Sequence, residues 1–145
     1  MTPTLFGRIQ TRLFLLATVG VVWTIIITPL VAVVNGGSPL GATYKATFLA
    51  LLLVAVLGTV LWEPIWHLLM LFRWDKDWPA LFILLESIPE GILVYFLLTG
   101  PFGQGVSAAA FLLDFGTVWL AVFFAAHGPM RVPFLRWRFR GGRIV

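Results

Sequence analysis

Residues 46–72 read ATFLALLLVAVLGTVLWEPIWHLLMLF. A bilayer core of about 30 Å takes roughly 20 apolar residues in helical form. This run exceeds that length, so it reads as a membrane-spanning helix and decides the fold class. It is unusual in carrying Glu63, Pro64 and His67 toward its C-terminal end.

Working outward, three further segments meet the same length: 13–34, 79–98 and 106–126. The turn-forming stretches 35–39 (NGGSP) and 100–103 (GPFG) connect them on one side, and 73–78 connects them on the other. Connections so short make neighbouring helices antiparallel. The expectation is an all-α integral membrane protein, a four-transmembrane-helix antiparallel bundle. Residues 1–145 form a single membrane domain with a basic juxtamembrane tail over 131–145. A signal peptide is the competing reading of the N-terminus. The apolar run there is too long for one, and no small-x-small cleavage site follows it.

Composition agrees. Of 145 residues, 60% are hydrophobic and only 11% charged, with a mean hydropathy of +0.99. A soluble domain carries about a quarter charged residues. An ordinary soluble enzyme, a disordered chain and a nucleic-acid-binding module are therefore excluded, despite a pI near 10.4. The chain has no Cys, which removes disulfides, thiol nucleophiles and Fe–S clusters. Nine of the ten basic residues (Arg8, Arg12, Arg73, Lys76, Arg131, Arg136, Arg138, Arg140 and Arg143) fall on the side shared by both termini. Lys45 alone falls on the other. By the positive-inside rule both termini are expected in the cytoplasm, in a prokaryotic cytoplasmic (inner) membrane.

The six acids tell more than the bases. Asp75 and Asp77 lie in the 73–78 turn, where water solvates them. Glu63, Glu86, Glu90 and Asp114 fall inside predicted spans, where an ionisable side chain usually faces the bundle interior and marks a functional site. At about 1.5 Å per residue, Glu63 and Glu90 share a depth of roughly 15 Å from the terminal side, and His67 and Glu86 a shallower one. Spacing by four puts Glu63 with His67, and Glu86 with Glu90, on single helix faces. Two facing rungs follow, Glu63 with Glu90 and His67 with Glu86, and Asp114 joins near mid-membrane. Pro64 and Pro89 flank Glu63 and Glu90 and free the carbonyls of Val60 and Leu85. Thr59 and Ser87 offer hydroxyls. The expected proton or cation site is thus Glu63, His67, Glu86, Glu90 and Asp114. Clustered buried carboxyls share protons, which suits a proton relay or a general acid.

A bound cation or metal at Glu63, His67, Glu86 and Glu90 is the weaker form of the same expectation. There is one Glu-x-x-x-His and no second motif of that kind. Trp62 and Trp66, one turn apart beside the acidic face, read as a lipophilic wall or a cation–π surface. Trp23 and Trp119 read as packing, and His127 as an interfacial histidine. In the tail, Arg136, Arg138 and Arg140 alternate with Trp137 and Phe139, a pattern for anionic headgroups or a partner subunit.

Three function classes remain. The first is a protein that handles protons or a cation, as a homo-oligomer or as a subunit of a larger membrane complex. The second is an accessory subunit whose acids only satisfy packing. The third is an intramembrane enzyme acting on a lipid or isoprenoid by general acid catalysis.

Overall fold

A computed structural model describes residues 4–72 and 84–128. It is all-helical, with no strand among the described residues. We number the helices α1 (Leu5–Val34), α2 (Leu40–Leu71), α3 (Ser87–Thr99) and α4 (Ala108–His127). The first, second and fourth are long and apolar enough to cross a membrane, and α3 is a shorter apolar helix. Neighbours in sequence pack side by side, and α4 closes the ring against α1.

The burial pattern is the reverse of that in a soluble bundle. Large apolar side chains face outward, among them Val33, Val60, Ile92 and Leu112, each more than 60% exposed. The interior holds Thr24, Thr28, Thr43, Thr47, Glu63, Glu86, Glu90 and Asp114 alongside its apolar residues. Such a surface suits lipid rather than water. The helices are consistent with a multi-pass membrane protein. The buried apolar residues Leu16, Ala50, Val54, Val94, Leu98 and Phe111 form one packed cluster.

Local sequence explains the boundaries. Thr4 caps α1, its Oγ1 accepting from the Gly7 amide at 3.1 Å, so the helix starts at Leu5 rather than near residue 13. That shift of two turns brings Arg8 and Arg12 into the helix. At the far end of α1, Gly36 and Gly37 both adopt φ of +75°, a left-handed stop that glycine takes without strain. Asn35 then clasps the two loops of that end. Its Nδ2 donates to Ser38 Oγ (2.8 Å) and to the Gly105 carbonyl (3.0 Å), and its Oδ1 accepts from the Ser107 amide (2.8 Å). Ser107 in turn caps α4.

Two π-helical segments interrupt the long helices, Leu16–Gly20 in α1 and Gly58–Trp62 in α2. The second ends where Pro64 cannot donate, and the Glu63 amide reaches back to the Gly58 carbonyl. The proline effect expected at Glu63 therefore takes the form of a π-bulge, a common device for re-aiming a side chain. Pro89 does less than expected. It lies in the first turn of α3, where a missing N–H breaks no intrahelical bond. The 73–78 turn, the start of the third expected span and the tail with Arg136, Trp137, Arg138 and Arg140 lie outside the described residues.

Candidate functional site

The three glutamates of the expected site do meet, and two arginines bring them together. Arg8 and Arg12, four apart on α1, share one helix face. Glu86 and Glu90 share the corresponding face at the start of α3, and Glu63 sits between them on α2. Arg8 Nε donates to Glu63 Oε2 at 2.6 Å, and Arg12 Nη1 donates to Glu63 Oε1 at 3.3 Å. Glu63 thus spends one oxygen on each guanidinium. Arg12 Nη2 also donates to Glu90 Oε1. Arg8 Nη2 stands 3.8 Å from Glu86 Oε1, too far for a hydrogen bond. Glu90 is 1% exposed, and the two arginine side chains 11% and 9%.

The local backbone makes room for this. Gly58 opens the π-segment of α2, and a Cβ there would collide with the Nε and Cζ of Arg12. Glycine lets the guanidinium lie against the helix backbone. The opposite side is aromatic, with Arg12 Cζ 5.5 Å from the ring centroid of Trp119, a cation–π contact. Trp119 belongs to a column on α4 in which Phe111, Phe115 and Trp119 stack at 5.3 and 5.8 Å between ring centroids. Gly91 of α3 admits that column, since a Cβ there would come within 2.8 Å of Phe115.

Several expectations need correction. Arg8 and Arg12 are not simply orientation charges beside the membrane; they are the countercharges of the acid cluster. His67 does not pair with Glu86, and its Nδ1 has no hydrogen-bond partner among the described residues. Arg12 makes its cation–π contact with Trp119, while Trp62 and Trp66 stack on each other at 6.2 Å. Ser87 gives its hydroxyl to the Leu84 carbonyl (2.6 Å), while the Thr59 hydroxyl is buried without a partner. Asp114 does not join the glutamates. It lines a different cavity with Leu98 and Phe111, is 5% exposed, and its Oδ1 has no hydrogen-bond partner among the described residues.

The metal expectation also fails on the donor set. Both oxygens of Glu63 and Oε1 of Glu90 face guanidinium groups. The described residues contain no group of three or more acidic or histidine side chains placed to hold a metal ion. What the arrangement offers is a hydrogen-bonded charge network open to small molecules. A cavity of about 120 Å³ runs between α1 and α4, with Arg8, Arg12, Glu63 and Glu86 on its polar side and Phe115 and Trp119 on its apolar side. Such a polar recess has room for water.

The residues missed from the sequence left signals. Arg8 and Arg12 are spaced by four, as Glu86 and Glu90 are. Residues 111, 115, 119, 123 and 127 are all aromatic or histidine at the same spacing. No family model, curated protein or solved structure matches the chain.

Proposed function

We propose that the chain is a four-span protein of a prokaryotic cytoplasmic membrane that binds and releases protons at Glu86 within the arginine–glutamate cluster. In this reading it works as a homo-oligomer or as a subunit of a larger membrane complex. The observation that supports it is a charge count. Three carboxylates face two guanidinium groups, and both cations make their short contacts to Glu63 and Glu90. Among the described residues, Glu86 keeps only the 3.8 Å approach of Arg8. An uncompensated carboxylate among apolar helices is costly. A proton removes that cost, and the cavity beside Glu86 supplies a water route. A metal cation is a poorer guest, because two fixed guanidinium charges repel it.

The orientation reading survives the loss of two bases to the cluster. Removing Arg8 and Arg12 from ten basic residues leaves eight, of which seven fall on the side of both termini. Both termini are then cytoplasmic, and the cluster exchanges protons with the cytoplasm.

Infrared titration of the purified protein in liposomes tests the reading. The wild type should show the carbonyl band of a protonated carboxyl that responds to bulk pH. Glu86→Gln should lose that component while circular dichroism reports an intact helical fold. An unchanged carboxyl band in a folded Glu86→Gln protein would leave the acids as packing groups in an accessory subunit. One observation favours a second reading, an intramembrane enzyme acting on a lipid or isoprenoid. The cavity at Glu63 and Glu86 continues along the apolar wall of Phe115, Trp119 and Phe123, and a lipid that copurifies with the wild type but not with Trp119→Ala would support it.

A further inference from the structure

At the opposite end of the bundle a second cavity, of about 240 Å³, descends from the two loops to Asp114. We infer that it is a binding site for a small primary ammonium compound with a short aliphatic stem. This inference is independent of the proton reading, because none of the cluster residues lines the cavity.

Charge comes first. Asp114 is the only charged side chain among the described residues of the lining. Its carboxyl is 5% exposed, its Oδ1 has no hydrogen-bond partner, and it makes no ion pair among the described residues. The nearby base in sequence, Lys45, is exposed. A buried acid with no internal countercharge favours a cation brought from outside.

Hydrogen-bond chemistry narrows the cation. Thr43 Oγ1 donates to the Pro39 carbonyl at 3.1 Å, and Thr47 Oγ1 lies 3.1 Å from the Tyr44 carbonyl and 3.0 Å from Thr28 Oγ1, which itself donates to the Thr24 carbonyl. A hydroxyl has two lone pairs, and at most one on Thr47 is taken by Thr28, so each oxygen keeps one for a donor in the cavity. A primary ammonium carries three N–H donors and no acceptor. One carboxylate and two hydroxyl oxygens form the matching acceptor set. Calcium takes six to eight oxygen ligands and magnesium a near-ideal octahedron. The described residues hold no group of three or more acidic or histidine ligands.

Size and polarity narrow it further. The volume lies just below the roughly 300–1,000 Å³ of drug-sized sites, so the guest is small but larger than a bare ion. Val31, Ala46, Leu98 and Phe111 supply apolar wall beside the polar acceptors, a match for a short alkyl stem. The mouth is polar, formed with Asn35, Ser38 and Gln104, as entry from water requires.

The test is thermal unfolding of the full chain in detergent, titrated with n-propylammonium chloride against sodium chloride at equal ionic strength. A ligand that binds only the folded state raises the melting temperature in a saturable way. The expected result is a saturable rise with propylammonium, none with sodium, and none with tetramethylammonium, which has no N–H to donate. Asp114→Asn should abolish the rise. Ala42→Trp, which crowds the cavity at an exposed lining position and leaves Asp114 in place, should abolish it too and decides the matter if Asp114→Asn does not fold. No saturable shift in the wild type overturns the inference, and so does an equal shift in either variant.

Discussion

At one end of the bundle three carboxylates share two guanidinium groups, a glycine cradle and an indole face. At the other, Asp114 faces threonine hydroxyls and an open cavity, with no cation among the described residues to answer it. The two cavities share no lining residue among those described. The difference is one of where the countercharge comes from. The first end carries its own, so Glu63 and Glu90 are locked to neighbours that fold with them. The second leaves the charge to solvent or to a guest. Stability and binding should therefore separate between the two ends, and substitutions at each can break or sharpen that division.

The largest effect is expected at Arg12. Its guanidinium contacts both Glu63 and Glu90, so Arg12→Met removes one cation, strands Glu90 and leaves Glu63 with Arg8 alone. Breaking a buried ion pair from one side costs about 3–5 kcal/mol. Unfolding in mixed detergent and dodecyl sulfate micelles, followed by circular dichroism, should show a loss of that order. Arg12→Lys should recover only part of it, because an ammonium cannot span two carboxylates as a planar fork does. A neutral Arg12→Met would mean that the cluster does not hold the helices together.

A smaller loss is expected at Gly58→Ala. The added methyl enters space held by the Arg12 side chain, and overpacking of a filled site costs about 1–3 kcal/mol. The sharper point is coupling. If Gly58 matters because of Arg12, the double variant Gly58→Ala/Arg12→Met should lose little more than Arg12→Met alone. Additive losses in the same denaturation assay would detach Gly58 from the cluster.

These two positions also mark the limit of what the sequence makes legible. Depth and spacing were enough to bring Glu63, Glu86 and Glu90 together, since helix rise is nearly constant and acids avoid lipid. Arg8 and Arg12 escaped because basic residues before an apolar run normally stay at the membrane surface. Only the Thr4 cap, which starts the helix at Leu5, reveals that they enter the bundle. Gly58 escaped because a π-bulge has no composition of its own. The shared depth of Asp114 and the glutamates was misleading for a related reason. Depth alone does not fix which way a side chain faces, and Asp114 lines the cavity that opens at the loops rather than the one that holds Arg8, Arg12 and Glu63. Turn chemistry carried further: the Gly36–Gly37 stop fell where the sequence placed it.

The smallest effect on stability is expected at Asp114, and it is the most informative about the comparison. Asp114→Asn keeps the shape of the side chain and removes a charge that no described residue compensates. There is no ion pair to break, so the loss cannot include a stranded partner of the kind Arg12→Met creates. What remains is the exchange of one polar group for another, worth less than about 1 kcal/mol, the scale of a single hydrogen bond. The same denaturation assay should give near-equal stability for the variant and the wild type without added amine. With saturating propylammonium the wild type alone should gain. A loss at Asp114 matching that at Arg12 would show both ends to be locked by internal partners and would erase the division between them.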